Sequence, residues 1–407
     1  MQRREPPGTS PRLVDARSGR TYEPDPLRWR GDDGAPLTVS PLPGLAPSDV
    51  DTGTRSLWRY RAALPAVCAE RPVSLGEGLT PLVERVWDGE RVLFKLEWFS
   101  PTGSFKDRGS SVMVSALAAS GVRRVVEDSS GNGGSSVAAY GAAAGIRVTI
   151  LVPEGTSPAK VLQTRAYDAA VETVPGGRDE TAAEALRRSA GTCYAGHNWH
   201  PFFLQGTKTL AYELWEDLGF RAPDAVVTVA GAGSIVLGCD LGFSELLAAG
   251  RIPRLPRLLV AQPAACAPLH AAFQGLPAPA FGPTIAEGTS IREPVRKSEV
   301  LDAIHRSGGD TVAVSEEAIM AAARRLAASG LYAEPTSATA AAAVSLFRAR
   351  GAIRDGETTV VVLTGSGLKA PAATDRLLAS TATGSGIDGH AGTAADTGVP
   401  TAGEGAA

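Results

Sequence analysis

The chain has 407 residues, of which 43% are hydrophobic, and a formal net charge of −3. A chain of this length exceeds one ordinary hydrophobic core, so we expect two domains with flanking tails. The small net charge argues against nucleic acid or another polyanion as a partner.

Cysteine usage and the absence of targeting signals indicate the compartment. The four cysteines are widely spaced and form no CxxC pair: Cys68, Cys193, Cys239 and Cys266. This spacing predicts free thiols in a reducing compartment. The N-terminus MQRREPPGTSPR is basic without the apolar core of a secretory signal, and no apolar run suits a bilayer. We therefore expect a cytoplasmic protein with no membrane contact.

The first third of the chain carries weak structural signals. Residues 1–54 are rich in proline, glycine and charge, which predicts a loosely packed N-terminal extension with one hairpin. Ser56 is a candidate N-cap for a helix in SLWRYRAALPA, and residues 91–98 alternate as a strand does.

From residue 122 onward, strand and helix patterns alternate. A β-branched run at 122–128 precedes a small-residue helix at 135–145 and a strand at 146–153. Asp179 and Ser315 are candidate N-caps of two later helices. Further buried-strand candidates are 225–230, 257–263 and 358–365. This alternation predicts parallel sheets covered by helices, and the low-complexity residues 380–407 predict a disordered tail.

The segment SPTGSFKDRG places Lys106 at the predicted start of a helix. The positive end of the helix dipole disfavours a cation there, and a partly desolvated amine is a usable nucleophile toward an aldehyde. An exposed lysine at a loop-to-helix junction is the ordinary alternative.

Two glycine-rich turns follow. Gly231-Ala232-Gly233-Ser234 lies between a strand and a helix start, where backbone N–H groups can bind a phosphate. A nucleotide site of the Rossmann type fits this loop alone about equally well, although no acid is placed for a ribose. In SSGNGG (129–134), Asn132 and the residues before it could bind a carboxylate at a helix start or simply cap that helix.

In this order, the lysine, the Asn-Gly turn and the glycine-rich loop resemble the fold-type-II pyridoxal-phosphate enzymes. SFKDRG is specifically similar to the threonine synthase family, and the resemblance runs from about Arg55 to Lys369. It implies an α/β fold of the tryptophan synthase beta type in two domains. It also implies pyridoxal 5'-phosphate as cofactor, a small amino-acid substrate and a homodimer.

The resemblance assigns Lys106 to a Schiff base with the cofactor and to general acid–base work at Cα. The other residues that it places at the cofactor are Phe105, Asn132, Gly231, Ala232, Gly233, Ser234, Ile235 and Thr364. Those that it places at the substrate are Ser129, Ser130, Gly131 and Gly133. Thr364 would meet the ring nitrogen, with Ser366 as second choice, and a neutral hydroxyl there suits elimination or replacement better than transamination.

The sequence departs from this family where the substrate phosphate should bind. Asn198 and Phe203 stand where a serine and an arginine are usual, and Gly133 replaces a threonine. A dianion would lose its bidentate cation and gain an aromatic neighbour. These changes predict that O-phosphohomoserine is a poor substrate.

Several other side chains are candidates for chemistry. Glu334 and Glu287 resemble carboxylates near the cofactor in related enzymes, or they are surface acids. Cys193, His197 and His200 form C-x3-H-x2-H, but no clear fourth ligand accompanies them, so we predict no metal site.

Together these patterns predict a large cofactor domain (55–110 with 206–379) and a small domain (111–205). The predicted function is a threonine synthase-type lyase that eliminates a leaving group and adds water or another nucleophile. The alternatives are a serine/threonine dehydratase-like or β-replacing enzyme, a non-catalytic cofactor-binding paralogue, and a nucleotide-binding oxidoreductase built on the glycine loop.

Overall fold

The computed structural model of the protein describes residues 11–277 and 280–382. The predicted tail at 380–407 lies outside the described residues, apart from its first three positions, which end the last helix.

The elements alternate along the chain as the patterns predict. The strands are β1 (Leu13–Asp15), β2 (Thr21–Tyr22), β3 (Leu37–Val39), β4 (Leu82–Trp87), β5 (Glu90–Leu96), β6 (Arg124–Glu127), β7 (Arg147–Pro153), β8 (Ala170–Val174), β9 (Cys193–Tyr194), β10 (Ala225–Val229), β11 (Arg257–Pro263), β12 (Asp310–Val314) and β13 (Thr359–Leu363). The α-helices are α1 (Ala66–Ala69), α2 (Lys106–Ala119), α3 (Asn132–Ala143), α4 (Leu162–Ala166), α5 (Arg178–Arg188), α6 (Pro201–Thr207), α7 (Thr209–Asp217), α8 (Ser234–Ala248), α9 (Pro268–Phe273), α10 (Lys297–Arg306), α11 (Glu316–Ala328), α12 (Pro335–Ala349) and α13 (Pro371–Ala382). Short 3₁₀ helices occupy Pro47–Asp49, Leu57–Ala63, Glu97–Phe99, Pro158–Val161, Ala264–Cys266, Glu287–Thr289 and Gly367–Lys369.

The larger sheet has six strands in the order β12-β11-β10-β13-β5-β4, parallel except for the edge strand β4. Its central strands are buried on both faces, so alternate residues of one strand enter different cores. Val226 packs in the core that contains α7 and α8, while Val227 packs in the core that contains α11 and α12. The predicted α/β architecture with helix-covered parallel sheets is therefore confirmed.

The smaller sheet has four parallel strands in the order β8-β7-β6-β9. Helix α5, which follows β8, begins at Arg178 with Gly177 as its N-cap, so the prediction of Asp179 as the cap is wrong. The reason is local, because the Glu180 carboxylate reaches back and accepts a hydrogen bond from Gly177 N at 2.7 Å. Asp179 stands in the first turn instead.

The N-terminal extension is better packed than predicted. Strands β1, β2 and β3 form an antiparallel sheet, and Leu13 and Leu37 are fully buried in a core shared with α2 and α3. The buried Arg296 guanidinium donates to the main-chain oxygens of Leu37 and Trp199, at 2.7 and 2.6 Å. This arginine thus ties the extension to the body of the protein.

The predicted domain division stays a prediction. Strands of the small sheet lie between residues 124 and 194, and those of the large sheet lie on both sides of them. Helix α2 nevertheless runs through the predicted boundary at residue 110. Among the described residues, no helix is long and apolar enough to cross a membrane.

Candidate active site

Lys106 is the first residue of α2, and the chain before it lies against the segment that follows β13. Phe105 N donates to Thr364 O at 2.9 Å, and Ser104 pairs with Gly365 in an isolated bridge. The Lys106 ammonium nitrogen lies 4.7 Å from the Phe105 ring centroid and 5.8 Å from that of Phe203. The predicted nucleophile is therefore held between two aromatic rings at the end of the large sheet.

Burial sets the protonation of this lysine. Loss of hydration lowers the pKa of Lys106 to about 8, while the carboxyl groups of Glu127 and Glu334 oppose that shift. An amine with this pKa is partly neutral near physiological pH, as a nucleophile or general base requires.

The first turn of α2 is fixed by the two residues after the lysine. The buried Asp107 carboxylate accepts from Thr102 N, from Thr102 Oγ1 and from Ser136 Oγ, at 2.7, 2.6 and 2.6 Å. The Arg108 guanidinium is fully buried and pairs with Glu97 and Glu213. These contacts anchor the start of the helix to α3 and to the large sheet, so the position of Lys106 is set on both sides.

The glycine loop joins β10 to the 15-residue helix α8. Gly233 has φ of +88°, and a Cβ there would lie 2.3 Å from Val300 Cγ2. A Cβ on Gly231 would lie 3.1 Å from Thr289 Cα. The loop therefore requires glycine at position 233, whereas a side chain at position 231 would need the Thr289 main chain to shift. The unpaired N–H groups of the first turn of α8 fit a phosphate group. Ala232, Ser234 and Ile235 complete this turn and are buried.

Thr364 lies immediately after β13, on the same edge of the sheet. Its hydroxyl is 3.0 Å from Ser337 Oγ on α12, and Thr364 is 2% exposed. Ser366, the second choice from the sequence, uses its hydroxyl to accept from Leu368 N at 3.2 Å. Thr364 thus remains the better-placed neutral partner for a ring nitrogen.

The SSGNGG turn forms the start of α3. Asn132 Nδ2 donates to both carboxylate oxygens of Glu334, each at 3.2 Å, and Glu334 is the N-cap residue of α12. Ser129 Oγ accepts from Gly131 N at 3.4 Å, and the backbone of Ser130 continues the same turn. This arrangement joins the predicted substrate turn directly to a buried carboxyl group.

The other predicted carboxylate, Glu287, lies away from this arrangement. It is about half exposed, with 49% of its side chain accessible, and forms ion pairs with Lys160 and Arg376. Of the two carboxylates, Glu334 is therefore the one that belongs to the site.

The histidines do not form a metal centre with Cys193. His197 Nδ1 lies 2.5 Å from Glu127 Oε1, whereas His200 Nε2 is 3.1 Å from the main-chain oxygen of Pro26. Within residues 11–277 and 280–382, no group of three or more potential ligands of these types is found.

Two residues of the site were missed by sequence reasoning. Glu127 is fully buried at the end of β6, and Lys369 Nζ donates to Thr102 O and Ser135 Oγ at 3.0 and 2.9 Å. The acidic Glu-Asp pair directly before SSGNGG is the signal that could have identified Glu127, because carboxylates rarely end a buried strand without a role.

The pKa of Glu127 leads to a stability prediction. Burial raises its pKa from 4.5 to about 7, so the folded state holds a proton that the unfolded state releases between these values. Glu127 therefore reduces the free energy of unfolding as pH rises from 4.5 to 7, by about 3 kcal/mol in all. In the Glu127→Gln variant, we expect this decrease in the free energy of unfolding between pH 4.5 and 7 to be absent.

Chemical denaturation at pH 4.5, 6 and 7.5 measures the effect. Glu184→Gln is the control, because the neighbouring Arg187 and Arg188 lower the pKa of Glu184 to about 2, and its titration falls below this range. A Glu127→Gln variant with the wild-type pH slope would contradict the assignment.

Comparison with known proteins identifies the family. The model of the family described as pyridoxal-phosphate dependent enzyme matches residues 73–365. The threonine synthase of Methanocaldococcus jannaschii is 35% identical over 333 residues, which cover 79% of this chain and 82% of that protein. The threonine synthase of Mycobacterium tuberculosis is 34% identical over 334 residues, covering 79% and 91%.

Solved structures show the same fold. A threonine deaminase from T.th. superposes with a TM-score of 0.59 at 26% identity, covering 70% of this chain and 92% of that one. An L-serine ammonia-lyase from Rhizomucor miehei reaches 0.65 at 20% identity, covering 76% and 99%. With the lysine, the glycine loop and the neutral hydroxyl in place, the chain belongs to the pyridoxal-phosphate-dependent enzymes, and among them to lyases of the threonine synthase type.

Proposed function

We propose that this lyase removes an oxygen-linked, non-phosphorylated leaving group from a small amino acid, with Lys106 as the group that moves the Cα proton. The observation that carries the proposal is the half-buried Lys106, whose ammonium nitrogen lies 5.8 Å from the ring centroid of Phe203, an aromatic residue in the segment where the family usually has an arginine for the substrate phosphate. Burial lowers the pKa of Lys106 to about 8, so its neutral form can accept a proton near neutral pH.

The residues of this chain fit pyridoxal phosphate. Lys106 would bind its aldehyde carbon, the 231–235 loop its phosphate, Thr364 its ring nitrogen and Asn132 its phenolic oxygen. Bound there, the cofactor supplies the electron sink that makes cleavage at the β or γ carbon feasible. Phe105 would flank the lysine, and Ser129, Ser130, Gly131 and Gly133 would bind and orient the substrate carboxylate at the start of α3.

The substrate pocket favours an uncharged leaving group. Phe203 is fully buried, and its ring occupies the space over Gly109, where a Cβ would lie 2.4 Å from Phe203 Cζ. The Arg296 guanidinium donates to the main-chain oxygens of Asn198, Leu37 and Trp199. Its Nη1 donates to Thr38 Oγ1 and the Glu299 carboxylate, so the donors of this arginine are already used. A phosphate dianion here would meet a ring and the Glu127 carboxyl group, and such burial is costly without paired cations.

A comparison of substrates tests the proposal. We expect kcat/KM for serine, threonine or O-acetylserine to exceed that for O-phosphohomoserine and O-phosphoserine by at least about tenfold, or 1.4 kcal/mol. O-Acetylserine and O-phosphoserine form the matched pair, because they share a carbon skeleton. A tenfold preference for O-phosphohomoserine would show that the enzyme is an ordinary threonine synthase.

The products separate the remaining alternatives. Ammonia with a keto acid indicates a dehydratase, and a new amino acid indicates replacement. A cofactor spectrum that responds to amino acids without product indicates a binding paralogue. The family match argues against the nucleotide-binding oxidoreductase. We also propose that the protein is a cytoplasmic homodimer without a nucleic-acid partner. The proposed domain boundaries are at residues 110 and 205.

A further inference from the structure

A buried acid–imidazole pair lies beside Lys106 and has no role in the function proposed above. Glu127 ends β6, and His197 follows β9, the parallel strand paired with β6. Because the carboxyl ends of parallel neighbours meet at one sheet edge, the two side chains come together across 70 residues of sequence. His197 Nδ1 lies 2.5 Å from Glu127 Oε1.

The surroundings are shaped to hold this imidazole. A Cβ on Gly133 would lie 2.6 Å from both Nδ1 and Cε1 of His197, so the ring needs glycine at that position. The Phe203 ring packs on the imidazole at a centroid distance of 5.7 Å. Gly133 and Phe203, two positions at which this sequence differs from the threonine synthase family, therefore both contact His197 and form one pocket around its ring.

The pair has unused hydrogen-bonding capacity. Among the described residues, Glu127 Oε2 is buried without a partner, and His197 Nε2 has no hydrogen bond. His197 keeps 11% of its side chain accessible, which leaves Nε2 available to a ligand in the cleft. In the same segment, His200 Nε2 bonds to Pro26 O, while its Nδ1 is buried without a partner among the described residues.

Charges around the pair decide where its proton resides. Burial raises the pKa of Glu127 to about 7, against the main-chain N–H groups of His197 and Ser129 and the charge of Lys106. Burial and the Lys106 charge hold the pKa of His197 well below its usual range, with Arg178 adding to them and Asp128 opposing. Below about pH 7, the favoured state is therefore a protonated Glu127 that donates to a neutral His197, whose remaining proton is on Nε2.

Resting on the proposed function, we propose that the Glu127–His197 pair delivers the proton to the leaving oxygen of the substrate, and that the substrate class is a β-hydroxy amino acid. As the C–O bond breaks, its electron pair stays with oxygen, which takes the proton from His197 Nε2. Nδ1 takes the proton of Glu127 Oε1, so the imidazole stays neutral and Glu127 becomes a carboxylate. Lys106 holds the proton from Cα, and water leaves.

The chemistry explains why such a device is needed. Hydroxide is a poor leaving group and departs only with a proton, whereas chloride departs without one. A proton donor is thus required for serine or threonine and is superfluous for 3-chloroalanine. General acid catalysis of this kind contributes about 10²- to 10⁴-fold.

The test compares these substrates in the holoenzyme. We expect His197→Asn and Glu127→Gln each to lower kcat for serine by at least about 100-fold, while kcat for 3-chloroalanine stays within about threefold. The wild-type kcat for serine should fall as pH rises above about 7, and that for 3-chloroalanine should lack this decrease. His200→Asn is the control, and it should leave the ratio of kcat for serine to kcat for 3-chloroalanine unchanged.

Equal losses on both substrates, or a wild-type enzyme that turns over 3-chloroalanine but not serine, would overturn the pair's role and leave the lyase assignment standing. Absence of cofactor attachment to Lys106, with neither substrate processed, would instead refute the proposed function. If His197→Asn does not fold, the kcat values of the nearly isosteric Glu127→Gln variant for the two substrates decide whether the pair delivers the proton. Nitrogen NMR of the full chain gives a readout without turnover, and a His197 Nδ1 resonance unchanged in Glu127→Gln would contradict the pairing.

Discussion

Lys106→Ala is expected to abolish turnover, with a loss of about 10⁴-fold or more, because one amine both binds the cofactor and moves the Cα proton. The fold should survive, since burial disfavours the charge of Lys106 and lowers its pKa to about 8. Borohydride reduction followed by peptide mass analysis should place the cofactor on the Lys106 peptide in wild type and nowhere in the variant.

Lys297→Ala is the matched control. Lys297 is also the first residue of a helix, α10, but it is exposed. Both lysines thus lie at the start of a helix, but only Lys106 lies beside the rings of Phe105 and Phe203. A Lys106→Ala variant that retained the reducible linkage and near-normal turnover would show that another amine performs the chemistry.

The fold could be predicted in the regions where parallel strands are buried on both faces. The segment Thr359–Leu363 has five consecutive buried residues. Only a central strand or a buried helix produces such a run, and five residues are too few for a helix, so the pattern predicts a strand. The N-terminal sheet gave a weaker signal. The composition of residues 1–54 predicts one hairpin, which β1 and β2 form, but the strands have only three, two and three residues, too few for periodicity to predict their bounds or the pairing with β3.

The site could be predicted where one motif carries the chemistry, and not where distant segments meet. Lys106 and the 231–235 loop lie in local patterns whose backbone geometry requires their residue types. Contacts such as Asn132 to Glu334, 202 residues apart, arise where the first residue of α3 meets the N-cap residue of α12. The pairing of Glu127 with His197 likewise depends on strand order, which periodicity does not reveal.

Arg108→Met is expected to lower the free energy of unfolding by about 3–5 kcal/mol, because it leaves buried carboxylates without their cation. Arg108 Nε is 2.7 Å from Glu97 Oε2, and Nη1 is 2.8 Å from Glu213 Oε2, with all three side chains fully buried. Although burial disfavours the charge of Glu213, Arg108 and Lys95 hold the pKa of this carboxyl well below its usual range. Glu213 therefore remains ionised in the folded protein, and the guanidinium is the cation that pairs with Glu97.

Denaturant titration of Arg108→Met against Arg187→Met measures this effect. Arg187 also pairs with a glutamate, Glu184, but 72% of its side chain is exposed, so its loss should lower the stability far less than the loss of Arg108. Adding Glu97→Gln to Arg108→Met should recover part of the stability, since Arg108 is the cation that pairs with Glu97, whereas Glu213 keeps Lys95 at 2.7 Å. Similar small losses in the two arginine variants would mean that water or nearby Lys95 compensates the buried acids. A large loss would show that the anchor of the first turn of α2, two residues from Lys106, is a buried ion network rather than helix capping alone.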